Sequence, residues 1–410
     1  GLLYMYMIIL KGMNSMILSE KMSNISSSPT LAIDAKFKKM KADGIDVVGF
    51  GTGEPDFDTP DHIKMAAINA ITAGFTKYTP ASGTMDLRKA VAQKLENDNG
   101  VTYAPTDIVI SNGAKHALVN AFYAILNDGD EVLIPKPFWV SYPEMVRIAG
   151  GVPKFIETTE DTKFKFSAAD FEAAITPKTK AIVLNSPSNP TGMVYSEEEL
   201  KSIADVAVKH NIFVVSDEIY EKLVYGSARH VSIASFGEDI KKLTIIINGV
   251  SKSYAMTGWR IGYTASAPEI AKIISNVQSH ASSNPCSISQ AAALAAISGP
   301  QEMVEAMRQE FKVRRDYMVK RINSIPGVSC INPDGAFYVF MSIKDLLGKE
   351  IKGKVINNAD EFCEWLLECS KVALVPGTGF GADGYVRWSY ATSMQNIKEG
   401  LDRLEDFLAK

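Results

Sequence analysis

Between residues 61 and 299 the chain alternates short apolar runs with longer amphipathic stretches, and this alternation constrains its fold more than any other feature. The runs Asp107-Ile-Val-Ile-Ser, Glu131-Val-Leu-Ile-Pro, Ala181-Ile-Val-Leu-Asn, Ile212-Phe-Val-Val-Ser and Leu243-Thr-Ile-Ile-Ile are apolar throughout and rich in β-branched residues. Strands buried on both faces read this way. Helical periodicity, as over residues 196–210, separates several of them. Parallel strands need such crossovers, so the pattern predicts an α/β fold with a mostly parallel sheet.

From residue 301 the texture changes. An amphipathic stretch over 302–322 leads to the apolar run Gly335-Ala-Phe-Tyr-Val-Phe-Met, a helix-like 360–368, short apolar segments at 372–375 and 385–390, and a final helix from Asn396. This predicts a smaller α+β domain over 301–410, beside a large domain over 61–300. Residues 22–60 are expected to form an N-terminal arm and part of the small domain. Arg308, Lys312, Arg314, Arg315, Lys320 and Arg321 interleave with apolar residues at helical spacing and are expected to line a solvated helix face.

At 410 residues the chain exceeds what one hydrophobic core accommodates, in keeping with two domains. Its net charge of −4 offers no electrostatic reason to bind nucleic acid or an anionic membrane. Cys286, Cys330, Cys363 and Cys369 have no CxxC spacing, which fits a reducing cytoplasm, and the five histidines show no metal-binding pattern, so no metal is expected. The apolar leader, residues 1–21, has no basic start and is cut short of a membrane span by Lys11. Because Gly1 replaces an initiating Met, this leader is expected not to be native, with Met13, Met16 or Met22 as the natural start.

Chemistry gathers where the buried strands end. Lys252 follows the run from Leu243, at the carboxyl end of a strand, where open α/β sheets bind ligands. A desolvated lysine there can lose its proton and attack a carbonyl. Arg260 adds a fixed positive charge suited to phosphate, although a Lys and an Arg near a strand end can also be incidental. Asp217, after the Ile212 run, is either a helix N-cap or a carboxylate able to keep a pyridine nitrogen protonated, with Tyr220 placed to reach a ring oxygen.

Four further segments have similar double readings. Asn189 sits in the rigid loop Asn185-Ser-Pro-Ser-Asn-Pro-Thr-Gly192, either a simple turn or an amide donor to a ring oxygen. Ser111-Asn-Gly-Ala-Lys-His joins a strand to a helix, so the N–H groups of Gly113, Ala114 and Lys115 form an anion site. Trp139 either packs in a core or stacks on a flat ring. Arg387, inside an apolar strand, demands a carboxylate, from the protein or from a substrate. The string Gly377-Thr-Gly-Phe-Gly381 lacks a following helix and is not a dinucleotide fingerprint.

Together and in this order, these strings resemble the class I/II pyridoxal-phosphate aminotransferases of fold type I, nearest the thermophile-type bacterial aspartate aminotransferases. Gly51-Thr-Gly-Glu-Pro-Asp-Phe-Asp-Thr-Pro60, Lys77-Tyr-Thr-Pro, Asn189-Pro-Thr-Gly, Ser216-Asp-Glu-Ile-Tyr220 and Ser251-Lys252 with Arg260 are all present, and the likeness runs from about Ser28 to the C-terminus. The resemblance implies a seven-stranded, mostly parallel sheet sandwiched by helices and bound pyridoxal 5′-phosphate. Lys252 would hold the cofactor as a Schiff base and move the substrate's α-proton. Asp217 would pair with the ring nitrogen, Tyr220 and Asn189 with the ring oxygen, and Trp139 would stack on the ring. Gly113, Ala114, Lys115, Ser251 and Arg260 would hold the phosphate. Arg387, beside Asn189 and Trp139, would clamp the substrate α-carboxylate, with Gly53 closing over it. Lys115 would meet the distal carboxylate of an acidic substrate.

The same resemblance implies a homodimer with shared active sites, in which Tyr78 reaches the partner's phosphate. The implied reaction moves an amino group from L-aspartate to 2-oxoglutarate by a ping-pong cycle. An aromatic or neutral amino-acid aminotransferase and a β-lyase are the alternatives within the fold. Two departures stand out. Gly249 occupies the position of a phosphate-binding serine in animal-type relatives, and the arm Ile25-Ser-Ser-Ser-Pro-Thr30 lacks the lysine of prephenate-accepting relatives.

Overall fold

The computed structural model describes residues 16–28 and 31–409. Residues 1–15 of the apolar leader and Pro29 and Thr30 of the arm lie outside the described residues. The strands, in chain order, are β1 (Val48–Gly49), β2 (Ile108–Ser111), β3 (Glu131–Pro135), β4 (Val152–Ile156), β5 (Thr179–Asn185), β6 (Phe213–Asp217), β7 (Thr244–Gly249) and β8 (Gly262–Ala265). They continue as β9 (Ser329–Cys330), β10 (Tyr338–Ser342), β11 (Lys349–Ile351), β12 (Lys354–Ile356), β13 (Val372–Ala373), β14 (Val375–Pro376) and β15 (Tyr385–Ser389).

Strands β2 to β8 form one seven-stranded sheet in the order β2-β8-β7-β6-β5-β3-β4. The five strands from β7 to β4 run parallel, whereas β8 is antiparallel to both β2 and β7. Both faces of this sheet are covered. Ile246 packs on one side with Leu87 and Ala293, from the helices Met85–Asn99 and Ser287–Ser298. Its neighbours Ile245 and Ile247 pack on the other with Leu118 and Ile274, from the helices Gly113–Ile125 and Pro268–Ala281. Successive strand residues face opposite sides, so burial on both explains the uninterrupted apolar runs.

Two strands of this sheet escaped the sequence reading for opposite reasons. The edge strand β4 is mostly exposed, so it has no apolar run to recognise. Strand β8 is short and buried, and its Gly and Thr disguise it. The helix expected over 196–210 is present as Glu197–His210, started by a reciprocal capping pair: Glu199 N–H donates to Ser196 Oγ (3.2 Å) and Ser196 N–H to Glu199 Oε2 (2.8 Å).

A smaller antiparallel sheet, β14-β15-β10-β9, packs with the helices Glu302–Ser324, Ala359–Ser370 and Met394–Leu408. The apolar stretch at 372–375 divides into β13 and β14, because β13 pairs in parallel with β1 near the N-terminus. The solvated face expected along the Glu302–Ser324 helix needs correcting. Arg314 and Arg315 are buried, Arg314 pairing with Asp56 (2.8 Å) and Glu310 (3.0 Å), and Arg315 donating to the Pro333 carbonyl (2.8 Å). Long stems let arginines pack on Phe57 and Tyr225 while their heads find partners, a choice helical spacing does not reveal.

Candidate active site

At the carboxyl edge of the large sheet lies a cavity of about 570 Å³, lined by residues from the strand ends and from the 52–54 segment. Strand β7 ends at Gly249, where a Cβ would stand 2.8 Å from the Ile261 carbonyl oxygen and 2.9 Å from Gly262 Cα. The close approach of β8 therefore leaves no room for a serine at this position. Ser251, two residues on, is buried and lines the cavity.

Lys252 enters the cavity from the turn after β7, its amine donating to the Gly53 carbonyl and lying 5.8 Å from the centre of the Tyr220 ring. Burial pulls its pKa down to about 8, and the positive charge of Arg387 adds to the effect, ahead of that of Arg260. Asp217, at the end of the adjacent parallel strand β6, is also buried. It accepts from the Tyr142 hydroxyl (2.6 Å) and the Ile219 N–H (3.3 Å). Burial pushes its carboxyl up to about 6 against the pull of those hydrogen bonds. Asp217 caps no helix, which removes that reading.

The loop after β5 is tied to the same corner. Asn185 Nδ2 donates to the Asp217 carbonyl (3.1 Å) and Asn185 Oδ1 accepts from Asn189 N–H (2.9 Å). Asn189 Oδ1 in turn accepts from Arg387 Nη1 (2.9 Å), and Gly51 O accepts from Arg387 Nη2 (3.0 Å). The Arg387 guanidinium is buried over the Tyr338 ring, 4.4 Å from its centre. Its Nε has no hydrogen-bond partner, and among the described residues no carboxylate pairs with it. Among the described residues, then, Arg387 forms no internal salt bridge. Tyr220 meets the Tyr338 hydroxyl at 2.8 Å.

A helix N-terminus beside the cavity offers donors suited to an anion. The Gly113–Ile125 helix starts without a side-chain cap and without an acid in its first turn, so its leading N–H groups remain available. Gly113 has φ +86°, and a Cβ on it would clash with the Arg260 guanidinium. Only glycine lets that guanidinium lie against the helix end. Lys115 Nζ lies 5.1 Å from the centre of the Trp139 ring, and Trp139 meets Tyr142 edge-on at 5.4 Å.

Of the thirteen candidate residues, eleven line this cavity; Gly113 lies just behind the lining, at the start of its helix, and Tyr78 is 89% exposed. Sequence reasoning missed Tyr142, which carries the Asp217 hydrogen bond, and Tyr338, which underlies Arg387. Both sit in ordinary apolar strings and acquire their roles only by packing. The donor set suits pyridoxal phosphate: an uncapped helix end with an adjoining arginine could take a phosphate, a buried carboxylate could pair with a ring nitrogen, and a lysine of lowered proton affinity could bind an aldehyde.

A cavity of this kind, at the carboxyl edge of a mostly parallel sheet and with a lysine amine at its centre, defines an α/β group-transfer enzyme. The chain belongs to the aminotransferase class I and II family, whose sequence profile matches residues 45–404, a family of pyridoxal-phosphate-dependent transaminases. It is 50% identical to the aspartate aminotransferase of Geobacillus stearothermophilus over 95% of this chain and 98% of that one. Among solved structures, the aspartate aminotransferase from Rhizobium meliloti superposes with a TM-score of 0.93 at 43% identity, covering 96% of this chain and 99% of that chain. The Thermus thermophilus enzyme with maleate superposes with a TM-score of 0.90 at 41% identity, covering 96% and 100%.

Proposed function

We propose that this chain is an L-aspartate:2-oxoglutarate aminotransferase that works with pyridoxal 5′-phosphate, yielding oxaloacetate and L-glutamate. One observation carries the reading: Arg387 and Lys115, neither paired with a carboxylate among the described residues, face one cavity together with Lys252. Two free cations suit a substrate with two carboxylates, as does the maleate, a dicarboxylate, of the Thermus enzyme.

When bound, pyridoxal phosphate supplies an electron sink conjugated to the substrate's amino group, which acidifies the α-hydrogen. Lys252, with its lowered proton affinity, is the base that takes the α-proton and returns it. Asp217 would hold a proton on the ring nitrogen, Tyr220 and Asn189 would meet the ring oxygen, and Trp139 would cover the ring. Gly113, Ala114, Lys115, Ser251 and Arg260 would hold the phosphate. Arg387 grips the α-carboxylate and thereby fixes the orientation of the α-hydrogen. The 51–54 segment, with Gly53, closes over the substrate and excludes water.

The division into a large domain over 61–300 and a small domain of 301–410 with part of 22–60 belongs to the same reading. So does a homodimer. Tyr78 is exposed and outside the cavity of its own chain, in a region where Met65, Ile68, Ile71 and Phe75 are also exposed. A partner surface would cover these side chains and bring Tyr78 to the partner's phosphate.

The test is an absorbance spectrum of the purified protein before and after L-aspartate, then after 2-oxoglutarate. A cofactor band that shifts with aspartate and returns with 2-oxoglutarate supports the reading. A band that responds to phenylalanine or cystathionine and ignores aspartate overturns the substrate assignment.

A further inference from the structure

Behind Asp217 lies a buried polar cluster that the reaction as described above does not use. Residues 217–221 divide between two sides: Asp217, Ile219 and Tyr220 line the cavity, whereas Glu218 and Glu221 lie beside His230. The Glu218 backbone N–H donates to the Ile247 carbonyl (2.9 Å), extending the pairing of β6 with β7 by one residue. The Glu218 carboxylate, only 2% exposed, accepts from three donors: Ser216 Oγ (2.9 Å), Ser232 Oγ (3.0 Å) and His230 Nε2 (2.8 Å).

An ionised carboxylate can only accept, so Nε2 is the donor in the tautomer that satisfies this pair. Consistently, His230 Nδ1 has no partner. Glu221 is satisfied separately, by the Lys94 ammonium and by Asn99 Nδ2 (3.0 Å). Glu218, Glu221 and His230 present ligand atoms within 4.8 Å of one another, but the Lys94 ammonium already supplies positive charge there. His230 is thus neither exposed nor an incidental packing residue.

We propose that His230 is a positioning residue for Asp217, acting through Glu218. A buried carboxylate that loses a donor must move, admit water or take up a proton. Glu218 is joined to Asp217 by one peptide bond, so a movement of its side chain is passed through the backbone to the carboxylate that faces the cavity. The link is also electrostatic, since the charge of Glu218 helps to hold the Asp217 carboxyl above its ordinary range. This inference rests on the proposed role of Asp217 toward the cofactor.

The test compares His230→Leu with His230→Gln in the full-length holoenzyme, because the glutamine amide can replace the Nε2–H donor and leucine cannot. Pyridoxal phosphate affinity, from cofactor absorbance remaining after dialysis, is read beside the separate kcat and KM for aspartate and the melting temperature. His230→Leu should weaken cofactor affinity about tenfold, the scale on which groups behind a ligand act. It should also lower kcat more than it changes KM, and His230→Gln should restore both.

Affinity and kcat unchanged in His230→Leu, or His230→Gln failing as leucine does at an unchanged melting temperature, would overturn the proposal. Should His230→Leu not fold, Ser232→Ala removes one donor from the same carboxylate, and unaltered cofactor affinity in that variant overturns it. A wild-type protein that holds no cofactor would sink the functional reading and this inference with it. A wild type that holds it beside an equally competent leucine variant sinks this inference alone.

Discussion

The Asp217 carboxylate and the Lys252 amine enter one cavity from neighbouring parallel strands, and burial moves their proton affinities toward each other, Asp217 up to about 6 and Lys252 down to about 8. Each group is held away from the charge state it prefers in water. That costs stability in the cofactor-free protein and provides reactivity in the loaded one.

For Asp217 the sign follows from a folded pKa raised above its ordinary 3.8. Below pH 3.8 the carboxyl is neutral in both states and costs nothing. The penalty grows as pH rises and is complete above about pH 6, where the displacement corresponds to about 3 kcal/mol. Asp217→Asn retains an acceptor for Tyr142, so the cofactor-free variant should unfold at higher denaturant than wild type at pH 8. The two should converge at pH 4, while turnover falls on the order of 10²-fold or more. Urea titrations at both pH values check this.

Lys252 has the opposite sign, its folded pKa lying below the ordinary 10.5. Its charge destabilises the cofactor-free protein at every pH below about 8, and the effect disappears above 10.5. Lys252→Ala should abolish turnover, by about 10⁴-fold or more, because it removes the amine of lowered proton affinity that serves as the base. Borohydride reduction of the loaded wild type, followed by peptide mass analysis, should place the cofactor on residue 252 and find none in the variant. Full turnover by Lys252→Ala would sink the mechanism.

Arg387→Lys should retain the charge and lose the fork. With one ammonium in place of a planar guanidinium, Asn189 Oδ1 and Gly51 O cannot both be satisfied while a carboxylate is gripped. A fall in kcat/KM for aspartate of about 10²-fold or more is expected from steady-state kinetics.

Lys115→Met should narrow the preference for acidic substrates. The ratio of kcat/KM for aspartate over that for phenylalanine is expected to drop about tenfold, as one distal carboxylate loses its cation. An unchanged ratio would reduce Lys115 to its backbone contribution.

Gly113→Ala combines a positive φ with a Cβ pressed into the Arg260 guanidinium. Pyridoxal phosphate affinity should fall about tenfold or more, through a displaced arginine and a strained helix start. Dialysis of the holoenzyme measures it.

Much of this was legible in the chain. The runs that became β2, β3, β5, β6 and β7 are apolar because both faces of the sheet are covered, and Asp217, Lys252 and Asn189 follow those runs directly, so strand direction alone carries them to one edge. Edge strand β4 and the short β8 carried no such signal, since exposure or small residues erase it. Arg314 and Arg315 were misread because helical spacing places a residue on a face without saying what packs there.

The sequence by itself determined the layered α/β architecture, the lysine at a strand end and the uncapped helix that cradles an anion, all consequences of local pattern and chain direction. Only the tertiary structure decided that Tyr142 holds Asp217, that Arg387 pairs with no carboxylate among the described residues, and that His230 closes on Glu218. The two hydrogen bonds join residues 75 and 12 positions apart. Hydrogen-bond satisfaction in a low-dielectric interior depends on who is adjacent in space, which no periodicity along the chain encodes.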